Sequence, residues 1–382
     1  MVEVNAVNGE LVLTVGGRVL RYPAVWLRDN CPCAYCADPL SGQKLHDITD
    51  IAPDCAVTDA HLADNSKKPG GDDTGVDNSK KLAVAFGPDG HVGEFSVGWL
   101  LRNSLDGRAA EDDGLRLWDG PGDLDVAATG WAAYTADARA RERALAEVRR
   151  HGFTMLTGVP AEPGMVLTVA ESFGFVRETN YGRLFDVRIE PAPGNLAFTS
   201  REILPHTDNP YRDPVPTLQL LHCLRVADEG GDTGLVDGFA AARALQAEDA
   251  AAYERLTSTT VSFEYIDKTA ELRTSQPLIQ LGPGGPAAGK IRAVRFNNRS
   301  IRLPYQQVTA FYSAYRRWAE LLARPERRLN TRLAPGDCLI FDNTRILHAR
   351  TAFSVTGSRH LQGCYADMDG LASTLAILRR NQ

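Results

Sequence analysis

The sequence predicts a mainly β protein with added helices, an α+β arrangement in which a sandwich or jelly-roll barrel follows a small β-rich domain. Three observations predict it. The chain has 382 residues, too many for one ordinary domain and suited to two, one of them large. Short apolar runs separated by turn residues recur along its second part, without the regular strand–helix alternation of a doubly wound sheet. Three cysteines fall within six residues near the start, the mark of a separate small module.

Taken in order, residues 11–15 and 18–28 have β-type content, with Gly16-Gly17 as the turn between them. Residues 81–87 read as a strand and 93–101 as a strand running into a short helical turn. The polar segment 59–81, rich in Gly, Asp, Ser and Lys, reads as an exposed loop. The expected division is a small domain over 1–118, a linker over 119–130 and a catalytic domain over 131–382. A helix is expected over 132–150, ended by Gly152, then a strand over 153–159 and a helix over 164–174. Strands follow at 217–225, 234–238, 260–265, 290–297, 338–343, 345–350 and 359–368. Helices at 305–323 and 370–380 complete the pattern.

With 43% hydrophobic and 24% charged residues, this is the composition of a globular protein. A net charge of -6 argues against a nucleic-acid partner, which demands a surplus of Lys and Arg. No apolar run reaches membrane-spanning length, and no signal peptide is visible. Seven cysteines in a chain of this length fit a reducing cytoplasm better than a disulfide framework, and the cluster Cys31, Cys33 and Cys36 then reads as a metal site.

The strongest chemical signal is His206-Thr207-Asp208. Side chains at i and i+2 of an extended segment project to the same side. His348, directly after an apolar strand, can complete a face of two imidazoles and one carboxylate. That set suits non-haem iron(II) and leaves three positions open, which oxygen chemistry with a bound cosubstrate requires. A 2-oxoglutarate cosubstrate needs a fixed cation for its distal carboxylate. Arg359, 11 residues beyond His348, offers a two-pronged one, and Thr233 can add a hydroxyl donor.

At 174–187, 195–199, 206–210, 218–223, 230–239, 296–299, 335–343, 346–350 and 359–369 the chain carries an ordered series of motifs that resembles the γ-butyrobetaine hydroxylase family, within the taurine-dioxygenase-like group of 2-oxoglutarate oxygenases. The resemblance implies a double-stranded β-helix catalytic domain. It assigns iron to His206, Asp208 and His348, and 2-oxoglutarate to Arg359 and Thr233 with Leu221 lining the same pocket. It also implies a homodimer. Three thiolates need a fourth ligand to close a tetrahedral structural zinc site. His91 stands where the family supplies it, in preference to the local competitors His46, Cys55 and His61.

The family cages a trimethylammonium group in aromatic rings, which bind a cation that can donate no hydrogen bond. Tyr181, Phe185, Phe198 and Tyr365 stand at the matching positions. Asn195, Asn209, Asn297, Asn298 and Arg299 are candidates for the anionic end of a zwitterion. Asn209 replaces the Tyr that carnitine-forming members tend to carry, and Arg299 suits a phosphonate as well as a carboxylate. The expected activity is hydroxylation of a small trimethylammonium zwitterion, similar to γ-butyrobetaine or 2-(trimethylamino)ethylphosphonate, with release of succinate and CO2. The alternative is the same machinery acting on another small amino acid or natural-product intermediate.

Overall fold

The computed structural model describes residues 2–63, 80–104, 114–189, 199–282, 289–303, 308–354 and 359–381. The chain forms two compact units, Met1–Asp113 and Gly114–Gln382.

In the first unit, β1 (Val2–Val7), β2 (Glu10–Val15) and β3 (Arg18–Tyr22) form one antiparallel sheet. Both connections are two-residue hairpins with positive φ at each position: Asn8 (52°) and Gly9 (79°), then Gly16 (59°) and Gly17 (83°). Such turns match the right-handed twist of the strands they join, which is why Asn-Gly and Gly-Gly occupy them. Strand β1 was not anticipated, although Asn8-Gly9 between alternating apolar residues signals it. Residues 24–28, expected to continue the strand, turn instead into α1 (Ala24–Asp29). Pro23 has no N–H for the ladder, so pairing ends at Tyr22 and the helix starts beyond it. The second sheet joins β4 (Ala56–Leu62), β5 (Lys81–Gly87) and β6 (Val92–Ser96), followed by α2 (Val97–Asn103). Residues 59–62 and 81 of the expected loop are thus strand; residues 64–79 lie outside the described residues. The core of this unit runs through Leu11, Leu13, Leu27, Leu82, Val84, Phe86 and Phe95 and includes Cys31 and Cys36.

The second unit opens with β7 (Thr129–Gly130) and two helices, α3 (Trp131–Ala136) and α4 (Ala138–His151), where one was expected. Asp137 makes the break: its carboxylate accepts from Arg139 N at 2.9 Å and caps α4. Gly152 ends α4 in the left-handed conformation (φ 86°), and a Cβ there would lie 2.6 Å from Ile346. There follow β8 (Phe153–Thr157), α5 (Met165–Glu171), β9 (Val176–Arg177), β10 (Phe185–Val187), β11 (Ile203–His206), β12 (Leu218–Arg225) and β13 (Thr233–Asp237). Helices α6 (Gly238–Glu248) and α7 (Ala250–Ser258) were not anticipated, yet each begins on a capping aspartate, Asp237 and Asp249. Then come β14 (Val261–Ile266), β15 (Glu271–Gln276), β16 (Ile279–Leu281), β17 (Ile291–Val294), β18 (Ile301–Arg302) and α8 (Val308–Leu322). The chain closes with β19 (Leu329–Thr331), β20 (Cys338–Asp342), β21 (Ile346–Arg350), β22 (His360–Ala366) and α9 (Met368–Arg380).

Two sheets make the barrel, as the sequence predicts. The major sheet runs β10-β22-β12-β20-β8-β7, with β9 also on β22; the minor sheet runs β11-β21-β13-β19. Period-two alternation sorts the residues of the major sheet between its faces. Leu218, Leu220, Cys338, Ile340, Cys364 and Ala366 pack with Leu145, Val169 and Leu371 of the helices. Leu221, Cys223, Leu339, Phe341 and Leu361 pack inward with Leu235 and Ile346 of the minor sheet. This inner face holds the site.

Candidate active site and metal centres

Strands β11 and β21 are antiparallel neighbours, and His206 pairs directly with His348, so the two rings stand 4.2 Å apart. Asp208 follows two residues later in a turn that the structure locks from several sides. Asn343 accepts from Asp208 N (2.8 Å) and donates to Asp208 O (3.0 Å) and Pro216 O (2.9 Å). Thr207 N donates to Phe296 O, and Phe296 N donates to Thr207 Oγ1. Asn209 takes φ 54°, a left-handed geometry that Asn tolerates better than most residues. One ligand atom from each of His206, Asp208 and His348 lies within 4.8 Å of the other two.

These groups fit a divalent metal. His206 Nδ1 donates to Leu204 O at 2.9 Å, which leaves a lone pair on Nε2. That lone pair faces Asp208 Oδ1, another acceptor, at 3.4 Å. A cation between them relieves the opposition. Burial alone would raise the Asp208 carboxyl, yet it is held well below the ordinary carboxylate range, with the Tyr365 hydroxyl among the groups that hold it there. Burial, then repulsion from His206, pushes His348 down to about 3, so its imidazole is a neutral base at physiological pH.

Behind the triad lie two guanidinium groups. Arg350 Nη2 donates to Thr199 O and Arg201 O, at 2.6 and 2.7 Å. Arg359 is 6% exposed, its Nη1 has no hydrogen-bond partner, and among the described residues no carboxylate pairs with it. Burial pushes it down to about 10, where it remains charged. Both guanidinium groups stack on Phe353, at 4.9 and 5.3 Å from its ring centre. A Cβ at Gly231 would crowd Arg359 Nε at 3.0 Å, so a residue without one stands there. A buried guanidinium with a free Nη1 and, among the described residues, no carboxylate partner is what a dicarboxylate cosubstrate requires. Thr233 and Leu221 line the same space.

The site opens into a cavity of about 360 Å³. Its wall holds Tyr181, Phe185 and Tyr365, and also Tyr211 and Tyr265, which were not anticipated. Ring centres are 5.1 Å apart for Phe185–Tyr365, 5.9 Å for Tyr181–Tyr265 and 5.0 Å for Tyr211–Tyr265. Gly363, opposite Phe185 in the ladder, lets that ring come close: a Cβ there would lie 2.5 Å from it. Arg299, partly in solvent, and the buried Asn209 line the cavity; neither Asn209 amide atom has a partner. Asn297 also lines it, but its side chain donates to Thr207 O (3.3 Å) and accepts from Arg299 N (3.1 Å). Asn298 is not brought to the cavity; it is exposed and accepts from Tyr315 OH. Asn195 and Phe198 lie outside the described residues. Gln219, Asn343 and Arg350 were also missed. A glutamine at the second position of a leucine-rich strand was the available signal for Gln219.

In the first unit, His91 Nε2 stands 3.2, 3.7 and 3.6 Å from the sulfurs of Cys31, Cys33 and Cys36. The four ligand atoms lie within 4.8 Å of one another and could hold a zinc ion. Gly93 belongs to the same packing, since a Cβ there would meet Cys31 Sγ at 2.6 Å. Burial pushes the Cys31 thiol up to about 12, which opposes ionisation unless a cation arrives. Arg28 bridges the two halves of the centre. Its Nη1 donates to Cys36 Sγ at 3.1 Å and its Nε to Asp89 at 2.9 Å, while Asp89 accepts from His91 N. Arg28→Ala is therefore expected to weaken zinc binding by about 10- to 100-fold, read by competition with a chelator.

The chain is similar to known proteins over most of its length. The profile of the taurine catabolism dioxygenase TauD, TfdA family matches residues 122–365, and that of the γ-butyrobetaine hydroxylase-like N-terminal family matches residues 8–67. A γ-butyrobetaine dioxygenase from Pseudomonas sp. (strain AK-1) is 36% identical over 379 residues, 98% of this chain and 94% of that one. A mitochondrial trimethyllysine dioxygenase from Mus musculus is 29% identical, over 96% of this chain and 85% of that one. A solved asparagine oxygenase gives a TM-score of 0.48 at 19% identity, covering 62% of this chain and 82% of that one.

Proposed function

The chain belongs to the TauD, TfdA family of dioxygenases, and from that premise we propose that it hydroxylates a small trimethylammonium zwitterion. It is an Fe(II)- and 2-oxoglutarate-dependent dioxygenase. When bound, these two supply the oxidising chemistry: one atom of O2 enters succinate as the keto acid loses CO2, and the other enters a C–H bond of the substrate.

The chain's own residues bind and orient. His206, Asp208 and His348 hold the iron, and Arg359, Thr233 and Leu221 seat 2-oxoglutarate. Tyr181, Phe185 and Tyr365, with Tyr211 and Tyr265, offer ring faces to a quaternary ammonium. Asn209, Asn297 and Arg299 face its acid end; Asn195, a further candidate for that end, and Phe198, a further ring for the cage, lie outside the described residues. The observation that carries this reading is one cavity in which five aromatic rings and Arg299 adjoin the triad and Arg359. A carboxylate or a phosphonate would answer Arg299 and the unpaired amide of Asn209. The reading also takes the first unit, residues 1–113, as a zinc-stapled domain and the second, which includes the expected 131–382, as the catalytic one, and includes a homodimer in the cytoplasm. The reading leaves Cys55, Cys223, Cys338 and Cys364 as free thiols outside the zinc cluster, in keeping with a reducing compartment. No helix among the described residues is long and apolar enough to cross a membrane.

Succinate release tests the reading. γ-Butyrobetaine or 2-(trimethylamino)ethylphosphonate should raise it above the uncoupled background, and an analogue with a neutral tert-butyl carbon in place of the ammonium should raise it far less. Failure of both cations overturns the substrate class. Phe185→Ala should raise KM for the cation by about 2- to 30-fold, the worth of one ring face, with a smaller effect on the neutral analogue. Equal effects on both would deny the cage.

A further inference from the structure

The two oxygens of Asp208 have different surroundings. Oδ1 faces His206 Nε2 within the ligand cluster. Oδ2 accepts two hydrogen bonds, from Gln219 Nε2 at 3.0 Å and from the Tyr365 hydroxyl at 2.9 Å. Gln219 and Tyr365 are directly paired residues of β12 and β22, 1% and 3% exposed. A primary amide at an inward position of a largely apolar strand costs stability unless it is paired; its Nε2 finds the Asp208 carboxylate, while its buried Oε1 has no partner. The Tyr365 ring packs on Phe185 as cavity wall while its hydroxyl turns to the acid. Asn343 fixes the backbone of Asp208 from the other side.

We propose that Gln219 and Tyr365 are positioning residues that hold Asp208 to the metal through Oδ1 alone. A carboxylate free to rotate can chelate a divalent ion with both oxygens and take a fourth position. The reaction needs the three positions that single-oxygen ligation leaves open. The two hydrogen bonds occupy Oδ2 and orient the carboxylate plane, so those positions stay free. Tyr365 thus serves two ends of the site, its ring for the substrate and its hydroxyl for the metal ligand. The inference rests on the assignment of His206, Asp208 and His348 as the metal ligands.

The test uses zinc-replete full-length protein without iron, so that the thiolate centre is filled. Co(II) is titrated in anaerobically, and its ligand-field absorption and the affinity of the Co(II) form for 2-oxoglutarate are recorded without substrate. Tyr365→Phe keeps the ring; Gln219→Leu keeps most of the volume. The double variant should show a changed ligand-field spectrum and bind 2-oxoglutarate about 10- to 100-fold more weakly than wild type, with the single variants between. A spectrum and affinity equal to wild type in the double variant overturn the proposal. The same holds if Tyr365→Phe changes KM for the cationic substrate and nothing else, since Tyr365 would then act as cavity wall alone. If wild type and His348→Ala take up Co(II) alike, the metal-ligand assignment itself is what fails.

Discussion

His348→Ala is expected to abolish Fe(II)-dependent conversion of 2-oxoglutarate to succinate, a loss larger than the about 10- to 100-fold that removal of an outer hydrogen-bond partner costs. His348 sits opposite His206 in the β11–β21 ladder, and its neutral imidazole supplies one of the three ligands grouped there among the described residues. Two ligands cannot define a facial arrangement, so the metal loses both affinity and orientation. The strand should survive, because Leu235 of β13, the pairing partner of His348 on the other side, does not depend on the ring. Circular dichroism should therefore match wild type while succinate release vanishes. A variant that retains turnover within a few-fold of wild type would remove iron from this position.

The second large effect concerns the small unit. Cys31→Ala should eliminate the bound zinc, expected at one ion per chain, and make residues 1–113 sensitive to limited proteolysis. Structural zinc contributes about 10–16 kcal/mol of apparent binding free energy, more than the total stability of many domains. Cys31 and Cys36 also belong to the apolar core of that unit, so the metal and the packing support one another. Acidification should release the ion by protonating the thiolates, since zinc binding displaces protons from cysteine. Unchanged zinc content, measured by elemental analysis, would exclude Cys31 as a ligand.

What the sequence made legible follows from how local each signal is. The triad was readable because His206 and Asp208 are two residues apart and His348 closely follows the strongly apolar strand β20. The central strands of the major sheet, β8, β12, β20 and β22, were readable because they are largely buried and rich in apolar residues, whereas the short, half-exposed β7, β9 and β10 were not anticipated. The helical turn at α1 was hidden by its β-branched and aromatic content, and only Pro23 marked the change. Gln219, Tyr211 and Tyr265 act through contacts that tertiary structure alone creates: Gln219 reaches Asp208 across 11 residues, and Tyr265 stacks on Tyr211 across 54. Asn297 shows the opposite case. Its residue type suggested a ligand contact, and much of its hydrogen-bonding capacity goes to the Thr207 and Arg299 backbone.

The most direct test of the account is anaerobic titration of Fe(II) into zinc-replete protein holding 2-oxoglutarate, followed by the visible charge-transfer absorption of the iron–keto-acid chelate. Wild type should develop the band and saturate at one iron per chain, and His348→Ala should develop none. A band of equal strength in the variant, or its absence from wild type, would contradict the placement of iron between His206, Asp208 and His348.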